Sequence, residues 1–139
     1  MFKNILVPTD LTEKSEKAFD IAVSIALNYK SDISLLHVIE SIDGVEDSEF
    51  NAFYDKLTNR AYKTLEKMAS RYQEKDITIN KDVILGKRVA EIIHFANERE
   101  IDLIILSSHK IEDFSSGEGW ATISYKVGIL ATCPVMMVK

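Results

Sequence analysis

The sequence predicts an α/β protein, an open, doubly wound sheet of five parallel strands with helices on both faces. Three observations lead there. Five short apolar runs alternate with four longer runs of helical periodicity. Most of the apolar runs are continuous rather than alternating, as strands buried on both faces are. Strand, helix and strand then follow one another in the order that right-handed crossovers require. The 139 residues lie within the usual size of one domain, and no repeat, linker or low-complexity segment divides them, so a single domain over residues 1–139 is expected.

The first strand is Ile5-Leu6-Val7-Pro8. From Glu13 to about Tyr29, Ala18, Ile21, Ala22, Ile25 and Ala26 fall on one helical face, with Thr12 as candidate N-cap and Glu13 and Glu16 at the positive end of the dipole. Ile33 to Val38 is the second strand, and the acidic stretch from Glu40 to Ser48, with Gly44, reads as a solvated loop. A long helix from about Glu49 to Glu74 carries a stripe from Phe50, Phe53 and Tyr54 to Met68, Ala69 and Tyr72, read as core packing.

The segment Ile77 to Ile84 alternates like a half-exposed strand and suits a sheet edge, with Gly86 punctuating the entry to a helix of Val89, Ile92, Ile93 and Ala96 that ends near Glu100. Leu103-Ile104-Ile105-Leu106 is the fourth strand. A polar loop, Ser107 to Gly119, leads into a fourth helix with Trp120, Ile123, Val127, Leu130 and Ala131, and Pro134 opens the last strand, Val135 to Val138.

Composition narrows the function. With 46% hydrophobic and 28% charged residues the chain is neither disordered nor fibrous. A net charge of -5 leaves no basic stripe for a phosphate backbone, so no nucleic-acid partner is expected. No run reaches 18 apolar residues and no signal-peptide pattern opens the chain; with one cysteine, Cys133, the expectation is a cytoplasmic protein without a membrane partner. Ligands of such sheets sit beyond the carboxyl ends of strands where the strand order switches, here between the first and fourth strands, which singles out the loops Thr9 to Thr12 and Ser107 to Gly119.

Those segments resemble a known family. Ile5-Leu6-Val7-Pro8-Thr9-Asp10 with Ser15 and Ala18, Leu35-Leu36-His37-Val38, Asp102 to His109, and Cys133-Pro134-Val135 together resemble the universal stress proteins along essentially the whole chain. The resemblance implies a sheet ordered 3-2-1-4-5, a cytoplasmic homodimer often formed through the last strand, and in one branch an ATP site. It implies nucleoside contacts at Pro8, Thr9, Asp10 and Val38, and a phosphate loop after Leu106 of the form glycine, two residues, glycine, nine residues, glycine and a hydroxyl residue.

The phosphate part departs from that pattern. Ser107 stands at the first glycine position and Lys110 at the second, with Ser108 and His109 between them. Ala121 and Thr122, followed by Ile123, stand at the last pair, after ten intervening residues instead of nine, and only the Thr122 hydroxyl is retained. Glycine lets backbone amides approach phosphate oxygens; a Cβ narrows that approach, and Lys110 is disfavoured wherever φ must be positive. One lysine against Glu112, Asp113 and Glu118 makes residues 107–122 acidic, which opposes a polyanion. Against this, Gly117 and Gly119 could form a displaced amide nest, and Lys110 could reach a phosphate.

Other chemistries find less support. Asp10 is not placed like a receiver's phosphoacceptor, which belongs after the third strand, where Leu85-Gly86 stands. His37, His94 and His109 lack metal-ligand spacing; His37 reads as a core or edge residue and His94 as a helix-face residue. Cys133 reads as a small core residue, and no enzyme motif is present. The expected function is a non-catalytic, dimeric regulatory or interaction module with weakened or lost ATP binding, its dimer strand being Val135, Met136, Met137 and Val138. The alternative is a switch that binds ATP, with Mg²⁺, or AMP through a rebuilt loop.

Overall fold

The computed structural model describes residues 1–41, 48–108 and 123–139. Its elements follow in the order β1 (Asn4–Pro8), α1 (Glu13–Tyr29), β2 (Asp32–Glu40), α2 (Ser48–Ser70), β3 (Thr78–Gly86), α3 (Arg88–Glu98), β4 (Leu103–Ser107), α4 (Ile123–Leu130) and β5 (Val135–Val138). The strands form one sheet in the order β3-β2-β1-β4-β5 with every pair parallel. Both the class and the order are those the sequence and its resemblance imply.

Alternation along the central strand sorts the core into two layers. Ile5 and Val7 of β1 join Phe19, Ala22 and Leu65 of α1 and α2 on one face. Leu6 faces Ile92, Phe95 and Val127 of α3 and α4 on the other. Because both faces are covered, the central strands need no polar side, and their apolar runs are unbroken. β3 is an edge strand and its residues are at most half-buried, in keeping with its alternating sequence.

The end of the sheet opposite the candidate site is fastened by polar contacts. The Asp102 carboxylate accepts from the Lys3 amide at 2.8 Å and the Asn4 amide at 3.1 Å, joining the starts of β4 and β1. The Ser31 hydroxyl donates to the Phe2 carbonyl beside the start of β2. On the α1/α2 layer, Tyr72 donates to Asp20 and stands edge-on to Phe19, with ring centroids 5.5 Å apart. Burial and the Asp20 carboxylate both raise the Tyr72 phenol above its ordinary pKa.

Several local expectations are corrected. Thr12 occupies the N-cap of α1 but does not cap it, because its hydroxyl donates to the Asp10 carboxylate instead. The long stripe of α2 is core only in its second half. Ala61, Leu65, Met68 and Ala69 are buried, whereas Phe53 is 51% exposed and Phe50 is also exposed. Helix α2 stops at Ser70, short of Glu74, and continues as turns. Leu130 of α4 is exposed and Ala131 lies just past the helix end, while Trp120 falls outside the described residues.

Phe19 has no exposed surface and touches both α2 and the sheet layer. Phe19→Ala is therefore expected to lower unfolding free energy by about 3–5 kcal/mol through lost burial and a residual cavity. The urea midpoint measures it; a change under about 1 kcal/mol would mean this layer is not packed as described.

Candidate functional site

β1 is paired through its length to β2 and, at Ile5 and Leu6, to β4. Past Leu6 the two neighbours diverge, and the carboxyl ends of β1, β2 and β4 border a cavity of about 180 Å³. Such a volume, below the range of pockets that enclose a whole drug-sized ligand, suits one heterocyclic ring with the rest of a molecule lying in the mouth.

The floor and walls are apolar. Leu36 and Val38 come from β2, Leu106 from β4, Ile92 from α3 and Ile123 from the first residue of α4. The rim is polar, formed by Thr9 and Asp10 after β1, His37, Ser107, Arg88 and Ser124.

The loop after β1 is held rigidly from inside. The Thr9 amide donates to the Leu36 carbonyl at 2.8 Å, which continues the ladder one residue past Pro8. The buried Thr9 hydroxyl donates to Ser15 Oγ at 2.7 Å, and Ser15 in turn donates to the Thr12 carbonyl at 2.7 Å. Thr9 Oγ1 also accepts from the Leu11 amide at 3.0 Å. These bonds, together with Leu11 packing on the core, sustain a left-handed backbone at Leu11 (φ 67°), unfavourable for a side chain by about 1–2 kcal/mol.

Asp10 at the loop's apex is exposed, and its Oδ1 accepts from the Thr12 amide at 2.9 Å. That turn places a carboxylate, a group that accepts hydrogen bonds from hydroxyls, at the cavity rim. His37 Nδ1 lies 2.8 Å from the Thr9 carbonyl. A carbonyl only accepts, so Nδ1 carries the proton and, in the neutral ring, Nε2 is an acceptor.

Across the cavity, Ser124 of α4 donates to Ser108 Oγ at 2.9 Å, both buried, and the Ser108 amide donates to the Val138 carbonyl at 2.8 Å. The start of α4 is thus tied to the ends of β4 and β5.

Of the residues singled out from sequence, Pro8, Thr9, Asp10, Val38, Leu106, Ser107 and Ile123 surround this one cavity. His109, Lys110, Ala121 and Thr122 lie outside the described residues. Sequence reasoning missed Leu36, His37, Arg88, Ile92 and Ser124. His37 is corrected from a core or edge position to the cavity rim; its strand parity puts it opposite Leu36 and Val38, so periodicity gave no hint. Arg88 had a readable signal, a cation in the first turn of a helix, where the dipole disfavours it. His94 is on an exposed helix face, as expected, with Nε2 3.1 Å from Glu98 Oε1. Among the described residues no group of His, Cys, Asp and Glu could hold a metal ion, and no helix is long and apolar enough to cross a membrane.

The model of the universal stress protein family matches residues 1–139. The chain belongs to the universal stress protein family. Universal stress protein YxiE of Bacillus subtilis is 28% identical over 149 aligned positions, covering 100% of both chains. The structure of MJ0577, a universal stress protein of Methanocaldococcus jannaschii, superposes with a TM-score of 0.80 at 26% identity, covering 100% of this chain and 96% of that one. A universal stress protein solved in complex with cAMP superposes at 0.80 with 17% identity, covering 99% of this chain and 97% of that one. In this universal stress protein the loop after β1 is hydrogen-bonded to β2 and to the start of α1.

Two outcomes follow from the buried groups. Ser15→Ala leaves the Thr9 hydroxyl without its acceptor and should cost about 1–3 kcal/mol by denaturant titration; no loss would mean the Thr9–Ser15 bond does not hold the loop. Cys133, partly buried beside Asp102, has its thiol pKa raised, chiefly by desolvation. Less thiolate at a given pH means slower alkylation, so iodoacetamide at pH 8 should label the folded protein more slowly than the urea-unfolded chain. Equal rates would contradict the burial.

Proposed function

We propose that this universal stress protein is a non-catalytic regulatory domain that binds an adenine nucleoside or its monophosphate in the cavity between β1 and β4, with triphosphate recognition weakened. The observation that carries the reading is the coexistence of an ordered nucleoside-sized half-site, with Thr9, Asp10 and Val38 around an apolar slot, and a loop sequence, residues 107–122, that has lost all three glycines at the aligned positions and holds three carboxylates. In this reading the ring lies between Val38, Ile92, Leu106 and Ile123, and the ribose hydroxyls meet Asp10. The cAMP complex of a structural relative lends support for a monophosphate of adenosine. No side chain of the described site pairs a nucleophile with a base, so the reading assigns no turnover and no role to Mg²⁺ beyond any ATP that still binds.

The reading places the domain in a cytoplasmic homodimer joined across β5. That strand ends the sheet, so one of its edges lacks a neighbouring strand, and Met136 beside it is exposed. Ile129, in the helix leading to β5, is 80% exposed. Pairing with a twofold mate would satisfy the strand edge and cover the apolar side chains.

Calorimetric titration tests the ligand. Adenosine and AMP should saturate the protein, and ATP should bind no more tightly than AMP. Asp10→Ala should weaken adenosine by about 1–2 kcal/mol through lost ribose hydrogen bonds. Submicromolar ATP with far weaker AMP would overturn the weakened-triphosphate reading, and an Asp10→Ala affinity equal to wild type would move the ligand elsewhere. For assembly, light scattering at micromolar concentration should give twice the chain mass, falling to one in Met136→Lys; a wild-type monomer would rule out the β5 dimer.

A further inference from the structure

Next to the nucleoside cavity, and sharing Arg88 and Ile123 with it, a wider groove of about 580 Å³ runs between the start of α3 and the side of α4. Its charged lining is Lys87, Arg88, Lys126 and Glu40. Among the described residues this lining holds three cations and one carboxylate, on a chain whose net charge is -5. The loop that would ordinarily face phosphate, residues 107–122, has the opposite sign.

The placement of these cations is costly to the fold. Lys87 is the N-cap of α3 and Arg88 its first residue, both at the positive end of the helix dipole, where carboxylates are favoured. Glu40 offsets part of this: its Oε2 accepts from the Arg88 amide at 3.3 Å and lies 3.6 Å from Arg88 Nε. The side chains of Arg88 and Glu40 are about half exposed, so the guanidinium lies at the mouth of the groove. Lys87 reaches back to the Ser41 carbonyl at 3.1 Å. Lys126 comes from α4, so the cations converge from two elements that the core holds together through Ile92, Phe95 and Val127. Residues that burden a helix start and gather beside a ligand cavity are better explained by an anion than by stability.

We infer that the α3/α4 groove is an anion subsite for a phosphate monoester, holding the phosphate of a nucleotide whose ring occupies the adjoining cavity. Cations from two elements on one groove suit a monoester, which carries roughly -1.5 to -2 at neutral pH. Arg88, on the wall common to both spaces, supplies the planar donor set that suits phosphate oxygens, and Lys87 and Lys126 supply point charges. The inference rests on the nucleoside reading for the ring, and on the groove alone for the phosphate.

The test separates the two. Adenosine and AMP are titrated calorimetrically into wild type and the Lys87→Gln/Lys126→Gln double variant, whose substituted side chains line the groove and not the nucleoside cavity. In parallel, backbone amide shifts are followed by NMR as inorganic phosphate is added. AMP should bind wild type roughly tenfold more tightly than adenosine. In the double variant that preference should fall below about twofold with adenosine unchanged. Lys87→Arg/Lys126→Arg should keep it, and Glu40→Gln should enlarge it. Inorganic phosphate should move amides of residues 87–90 and 123–130 in a saturable way in wild type and not in the double variant. A preference that survives the double substitution, its absence in wild type, or phosphate shifts lying wholly outside those residues would overturn the groove assignment. Failure of adenosine to bind at all would overturn the nucleoside reading instead, and the inorganic phosphate shifts would then decide the groove by themselves.

Discussion

The placement of β1 governs the rest of the molecule. It is hydrogen-bonded to β2 on one side and β4 on the other, with Ile5, Leu6 and Val7 fully buried against helices on both faces. A strand so enclosed has only one exit for its backbone polar groups, its carboxyl end. There Thr9 extends the ladder for one residue and then passes its hydrogen bonds to Ser15, Leu11 and His37. The loop that presents Asp10 is therefore an extension of the core.

The opposite wall is fixed by a different device. Ser108 and Ser124 pair in a buried position, and the Ser108 amide bonds to the end of β5. Movement of α4 would disturb the sheet edge as well as the cavity.

Charge is divided unevenly around this scaffold. In sequence, residues 107–122 carry Glu112, Asp113 and Glu118, whereas Lys87 and Arg88 open α3 and line the groove beside the cavity. The strand ends and buried hydroxyls around Thr9 are part of the core. Loops and surface side chains change without disturbing it.

The amino-acid sequence by itself determined the strand and helix succession, because unbroken apolar runs and helical spacing report burial on two faces. The switch in strand order marked the loops after β1 and β4, and the resemblance to the family marked Pro8, Thr9, Asp10, Val38, Leu106, Ser107 and Ile123. Only the tertiary structure decided that His37 turns to the rim and that Leu36, Ile92 and Ser124 complete the cavity. Tertiary structure alone also decided that Phe50 and Phe53 at the start of α2 stay exposed and that Lys87, Arg88 and Lys126 share one groove. Local pattern records which face of its own element a residue occupies; which faces of distant elements come together is set by how helices of fixed length cross strands of another length.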